Sequence, residues 1–248
     1  MIRLYTPAEI KILRKAGRIL AAVLQELVLK STPGRKTKEL NCIAQELLRF
    51  YEVEPTFLGY HGFPAALCTS INEEVVHGVP GERVIEKGDL VSLDLGLRYK
   101  GLCVDKAVSF YVGKVDDEKE RFLQTVYQAL MEGIKQAQPN YHLGEVSFAI
   151  QKVIQGAHYH VIKELFGHGV GYQVHEEPEI PNFGFPDEGP ILKPGMVLAI
   201  EPMAGMTSGA IRVKQDGFTI TSADGGLTAH FEETVAITEN GPIILTVK

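Results

Sequence analysis

The run Val91-Ser92-Leu93-Asp94-Leu95-Gly96 places one carboxylate in an otherwise apolar stretch that reads as a buried strand. An ionised carboxylate left unpaired in low dielectric is so unfavourable that it finds a partner or takes up a proton, so Asp94 needs one elsewhere in the chain. Asp105 is the first candidate. If Val91 to Val112 is a hairpin turning at Tyr99-Lys100, the two acids face each other with Cβ atoms about 4.5–5.5 Å apart. A turn shifted to Lys100-Gly101 leaves them diagonal neighbours. Two carboxylates at that range repel unless they share a proton or a cation.

A shared proton would suggest an acid dyad of the aspartic-protease kind, but other residues favour a cation. A second apolar run, Val197 to Pro202, carries Glu201; Glu232 stands in Phe231-Glu232-Glu233-Thr234; and His168 lies between Gly167 and Gly169. A lone histidine between glycines is more often part of a turn than a ligand, and a single buried acid more often pairs with Lys or Arg. No basic residue stands beside Asp94 or Glu201. Four carboxylates and one imidazole cannot all be buried and ionised without roughly two divalent cations, so the set describes a two-metal hydrolase site with ions about 3.5–4 Å apart. Metal binding needs ionised carboxylates and neutral imidazole, so activity should fall as the pH drops below about 6, near the ordinary histidine pKa.

The elements that must position these groups recur. Thr6-Pro7-Ala8-Glu9 reads as an N-cap, a proline at the first helical position and a capping-box glutamate, and the apolar residues from Ile10 to Leu27 continue a helix to about Lys30. A second helix opens near Thr37, and short apolar runs then read as strands up to about Val112. The plan restarts near Asp116. Pro33, Glu39, Leu40, Leu47 and Leu48 map onto Pro139, Glu145, Val146, Val153 and Ile154 at one constant offset. At an offset one residue longer, His61-Gly62 falls on His168-Gly169, Gly88 on Gly195 and Asp94 on Glu201; Asp105 is matched to Glu232, with an insertion in the second half. Helices followed by runs of strands, twice, indicate an α+β protein: a duplicated unit with halves of about 1–113 and 114–248 in one domain, 1–248.

Composition excludes several classes. In 248 residues, 25 Lys and Arg stand against 31 Asp and Glu, a net charge of −6 that offers no basic field for nucleic acid or anionic lipid. The 3 cysteines, Cys42, Cys68 and Cys103, form no CxxC pair and suit a reducing compartment. No segment reaches the ~18 consecutive apolar residues of a membrane span, and the early helix start leaves no room for a signal peptide. The expected location is the cytoplasm.

Several motifs now converge: Leu58-Gly-Tyr-His-Gly-Phe-Pro64, Ser70-Ile-Asn-Glu-Glu-Val-Val-His-Gly-Val-Pro80, the Asp94 and Asp105 pair, Gly167-His-Gly-Val-Gly171, His175-Glu-Glu-Pro178, Ile200-Glu-Pro-Met203 and Phe231-Glu-Glu-Thr234. Across essentially its whole length the chain resembles the methionine aminopeptidases of the short bacterial type I form. The resemblance implies the pita-bread fold, with its pseudo-two-fold duplication around a curved antiparallel sheet. It implies an enzyme that removes the initiator methionine from nascent polypeptides whose second residue is small, as a monomer near the ribosome. It makes Asp94 a ligand of one metal, His168 and Glu201 ligands of the other, and Asp105 and Glu232 bridges. Glu201 doubles as the group that takes a proton from the bound water, and His77 and His175 contact the scissile peptide. The two divalent ions would be Mn, Fe, Co or Zn. The alternatives are a dipeptidase or proline-specific peptidase on the same scaffold, or a non-catalytic peptide- or ribosome-binding module.

Tyr60, Phe63, Cys68 and Phe218 match positions lining the methionine pocket of that family. Phe57 and Val174 depart from it, because relatives usually carry a small residue at the first position and phenylalanine at the second. The two departures are expected to compensate, keeping pocket volume near constant. His61 is expected to be structural or to support a ligand from behind, and His142, His158, His160 and His230, which belong to no motif, are expected to be solvated.

Overall fold

A computed structural model describes residues 2–247. The first half begins with α1 (Pro7–Lys30) and α2 (Thr37–Phe50), followed by β1 (Glu54–Pro55), a 3-10 turn at Tyr60–Gly62, β2 (Cys68–Ile71), β3 (Glu74–Val76), β4 (Leu90–Tyr99) and β5 (Leu102–Tyr111). The second half repeats the helix pair as α3 (Asp117–Gln136) and α4 (Leu143–Gly156). After them come β6 (His160–Val161), β7 (Phe166–Gly169), β8 (Glu176–Pro181), β9 (Val197–Ile200), β10 (Met203–Gly205), β11 (Ile211–Val213), β12 (Ile220–Ser222), β13 (Thr228–His230), β14 (Glu233–Thr238) and β15 (Gly241–Ile244).

The local chemistry explains where the helices start. Thr6 accepts the amide of Glu9 while the Glu9 carboxylate accepts the amide of Thr6, so the expected capping box is formed. Leu13, Leu20, Leu24 and Leu27 then recur at helical spacing and are buried in a core that takes in α2, β4 and β5. Gly17 allows the C-terminal segment to cross α1, since a Cβ there would lie 2.2 Å from the Leu245 carbonyl oxygen. Lys36 and His142 precede the two shorter helices at equivalent points, and each forms an isolated bridge, to Val84 and Ile191.

The long hairpin carries β2 and β1 on one side of β4, and all its pairings are antiparallel. Its turn centres on Lys100 and Gly101, both at positive φ, as a two-residue hairpin loop of the I′ kind requires. Asp94 therefore faces Ala107 and Asp105 faces Gly96. The expected turn at Tyr99-Lys100 is one residue early, because it would force an aromatic side chain into the left-handed region while Gly101 stood unused. Asp94 and Asp105 remain diagonal neighbours on one face.

The second sheet runs β15-β14-β9-β7-β8. Its ladder corrects one of the sequence correspondences. Ser70 faces Ser92 whereas His168 faces Ala199, so Ser70, not His61, holds the place of His168. A His-Gly match is too short to fix a register, which the strand ladder sets instead. The insertion in the second half spans β10 to β13 and packs its β11–β12 hairpin against β3 of the first half.

Between the halves, β5 meets the segment that leads into β14. The Asp105 amide donates to Thr234 Oγ1, which donates in turn to the Asp105 carbonyl, and the Glu232 amide donates to the Ala107 carbonyl. A Lys106–Glu233 ion pair, largely shielded from solvent, crosses the same seam.

Candidate metal centre

Each of the five acids and imidazoles read from the sequence arrives from a different stretch of backbone. Asp94 and Asp105 come from the hairpin, His168 from β7, Glu201 from the residue after β9, and Glu232 from the residue before β14. All five line one cavity of about 600 Å³. Asp105, His168 and Glu232 offer ligand atoms within 4.8 Å of one another, and Glu201, His230 and Glu232 form a second such group. Asp94 lies outside both groups but lines the same cavity beside Asp105.

Glycines make the approach of the strands possible. A Cβ on Gly167 would lie 2.4 Å from the Ala199 carbonyl oxygen and 3.4 Å from Cγ of Glu201; one on Gly169 would lie 2.2 Å from the Glu177 carbonyl oxygen. His168 is thus held between two positions that admit no side chain. Its Nδ1 bonds the Gly169 carbonyl at 2.9 Å, so the proton sits there and Nε2 is left bare, 3.4 Å from Glu201 Oε1 and 4.0 Å from Glu232 Oε1.

Burial dominates the electrostatics. It raises the pKa of Asp94, Asp105, Glu201 and Glu232, and the mutual repulsion of the acids adds to the rise at Asp94, Asp105 and Glu232. It lowers His168 to about 3, with the neighbouring His175 contributing further. Asp94 Oδ1 and Glu232 Oε1 are buried oxygens with no hydrogen-bond partner among the described residues. Orphaned carboxylate oxygens opposite an imidazole with a bare nitrogen are the donor set that a divalent cation satisfies, so these residues fit a metal.

His175 stacks edge-on against His168 at 4.3 Å between ring centroids and bonds Tyr60 Oη through Nδ1 at 3.0 Å. His77, at φ 55°, presents an accessible edge to the cavity. The pKa of each falls to about 4, chiefly because surrounding protein disfavours the charged ring, and then through His230 for His77 and through His77 and His61 for His175. Both are neutral at pH 7.

Next to these groups lies an apolar cluster of Phe57, Phe63, Ala65, Cys68 and Val174, with Tyr60 and Phe218 packed on it. Phe63 and Phe218 meet edge to face at 5.5 Å. Cys68 faces Asp94 in the ladder, so the cluster adjoins the acids directly. Phe57 and Val174, which were expected to share a pocket, belong to the same cluster, although Phe57 lines the cavity wall and Val174 packs behind it. Room for the Phe57 ring comes from Gly96, whose Cβ would stand 3.0 Å from Phe57 Cε1.

His230 departs from expectation. It is buried, 2 % exposed, and its Nε2 lies 3.1 Å from Glu201 Oε2. The available signal was its position two residues before Glu232, which in extended chain puts both side chains on one face. His61 is exposed at the cavity rim, in the 3-10 turn, and His158 and His160 are exposed as expected. His142 is half-buried and bonds the Gly189 carbonyl.

A model of metallopeptidase family M24 matches residues 11–239. Methionine aminopeptidase 1 of Bacillus subtilis is 44% identical over 99% of both chains. The methionine aminopeptidase of Helicobacter pylori is 36% identical over 99% of this chain and 98% of its own. The crystal structure of methionine aminopeptidase from Thermotoga maritima superposes with a TM-score of 0.98 at 42% identity, covering 100% of each chain. A prolidase from Pyrococcus furiosus reaches 0.78 at 26% identity, covering 99% of this chain and 65% of that one. The chain has the pita-bread fold and belongs to metallopeptidase family M24 and, within it, to the methionine aminopeptidases.

Proposed function

We propose that this chain hydrolyses the peptide bond after an N-terminal methionine when the next residue is small, with two divalent cations held by Asp94, Asp105, His168, Glu201 and Glu232. One observation carries the reading: three buried carboxylates, the largely buried Glu201 and a bare imidazole nitrogen converge in a single cavity that opens onto an apolar pocket. Asp94 would hold one cation and His168 and Glu201 the other, with Asp105 and Glu232 shared between the two. The presence of Glu232 in both groups of ligand atoms supports its bridging role. Carboxylate and imidazole donors without thiolate suit Mn²⁺, Fe²⁺, Co²⁺ or Zn²⁺. Bound there, such cations supply Lewis acidity and lower the pKa of water toward neutrality.

The protein's own groups do the rest. Glu201, raised in pKa by burial, accepts a proton from the attacking water and returns it to the departing amine. In the tautomer in which Tyr60 donates to its Nδ1, His175 carries its proton on Nε2, where it hydrogen-bonds the carbonyl oxygen as charge develops. His77 is the second neutral donor at the cavity wall. The pocket of Phe57, Tyr60, Phe63, Cys68 and Phe218 takes the methionine side chain. Burial and the nearby acids keep Cys68 a neutral thiol, so it is apolar lining and not a ligand. The proposal includes a cytoplasmic monomer that meets nascent chains near the ribosome.

The test compares hydrolysis of Met-Ala-Ser with that of Ala-Pro and Met-Lys peptides, with and without added Mn²⁺ or Co²⁺. Cleavage of Met-Ala-Ser alone, dependent on metal, is expected. Preference for Ala-Pro would favour a proline-specific peptidase, and cleavage by a verified metal-free sample would overturn the metal centre.

A further inference from the structure

We infer that His230 is a positioning residue of the metal centre: its Nε2–H holds Oε2 of Glu201, so that Oε1 is presented beside His168 Nε2. The inference rests on the metal-centre reading above.

The two buried imidazoles around Glu201 are wired in opposite senses. His168 donates through Nδ1 to the Gly169 carbonyl and turns a bare Nε2 into the site, the tautomer of a ligand. His230 Nδ1 has no hydrogen-bond partner among the described residues. A ligating histidine donates its other ring N–H to an acceptor, and none is there for His230. Among the described residues the ring's one hydrogen bond joins Nε2 to Glu201 Oε2, at 3.1 Å, and opposite an ionised carboxylate that nitrogen is the donor. The carboxylate is therefore bracketed, with His230 on Oε2 and His168, 3.4 Å away, at Oε1.

The mount of His230 is rigid. Its amide donates to Ser109 Oγ at 3.0 Å and the same hydroxyl donates to its carbonyl at 2.6 Å, while Ser92 Oγ lies 2.6 Å from Ser109 Oγ. The β10–β13 ladder pairs His230 with Met203, two residues past Glu201. A side chain fixed by both strand and hairpin can hold a carboxylate in one rotamer, which a lone flexible glutamate cannot do for itself.

The experiment titrates Mn²⁺ into metal-free wild type and His230→Gln, His230→Phe and His230→Asn, checks each fold by circular dichroism, and measures kcat and KM on a methionyl peptide at saturating metal. Glutamine puts an N–H donor at the same bond count from Cα as His Nε2; phenylalanine keeps the ring and removes the donor; asparagine places its donor one bond short. The glutamine variant should stay close to wild type in metal affinity and kcat. The phenylalanine and asparagine variants should lose roughly 10- to 100-fold in metal affinity, the range for partners that orient ligands, with kcat lowered and KM held. Unchanged metal affinity in whichever of the two folds would overturn the inference. A glutamine variant as weak as phenylalanine would also overturn it, by making His230 a ligand. Failure of the wild type itself to bind metal would instead sink the metal centre on which the inference stands.

Discussion

At the scale of single residues, the competition between protons and metal is decided by carboxylates. The sequence suggests a loss of activity below about pH 6, from imidazole protonation. Burial moves the groups apart instead: His168 falls to about 3, while Asp94 rises to about 7 in the metal-free site and Asp105, Glu201 and Glu232 rise with it. A raised carboxylate keeps its proton where a free one would be ionised, and a cation must displace that proton. Metal affinity should therefore weaken as the pH falls through about 7, and binding at pH 7 should release protons. Calorimetric titration in buffers of different ionisation enthalpy measures both, and affinity constant between pH 6 and 8 would contradict the assignment. Apo stability is the poorer probe. The raised carboxylates contribute stability that is present at low pH and lost as pH rises through their folded pKa values; the lowered histidines contribute stability that is lost as pH falls below about 6.5, and the two oppose. For the neutral donors, His77→Ala and His175→Ala should each lower kcat by roughly 10²–10³ while leaving bound metal unchanged, as metal analysis beside steady-state kinetics would register.

At the scale of elements, legibility followed how local the determining chemistry is. The start of α1 could be read because Thr6, Pro7 and Glu9 specify it within one turn, and the second helix pair because its apolar spacing repeats. The hairpin was readable to within one residue, since its register hangs on which residue accepts positive φ, and Gly101 decides that. His230 was not readable as part of the site: its role needs β13 beside β10, a contact made by backbone pairing across an insertion with no repeat in the first half. Phe57 and Val174 belong to the same class of long-range fact, coming from the loop after β1 and the turn before β8 to meet in one apolar cluster. Phe57→Cys should leave a void and weaken methionine binding by about 1–3 kcal/mol, and Val174→Phe should overfill the cluster. Because the two belong to one apolar cluster, the double variant should recover much of the loss in kcat/KM on one methionyl peptide. Strict additivity of the two single effects would show that the side chains do not share a space.

At the scale of the whole molecule, the proposed ligands are divided between the repeats: Asp94 and Asp105 belong to the first half, His168, Glu201 and Glu232 to the second. The acids meet at the seam where Asp105 bonds Thr234 and Glu232 bonds Ala107, so the metal-free seam crowds acids where the halves must touch, and they repel as they ionise. Bound cations convert that repulsion into a crosslink, and because the unfolded chain cannot assemble ligands so far apart in sequence, their binding energy adds to folding stability. At free metal of 100 times Kd, one site contributes about 2.7 kcal/mol. For a chain of this size each kcal/mol moves Tm by about 2–4 °C, so Mn²⁺ or Co²⁺ should raise it by roughly 5–10 °C per site filled. Glu232→Gln, which weakens the residue proposed to serve both cations, should lose more of that rise than Asp94→Asn, which touches one. Differential scanning fluorimetry over a metal series, with chelated protein as baseline, would resolve the difference. A Tm that ignores metal at concentrations restoring peptide hydrolysis would mean that the cations do not join the two halves.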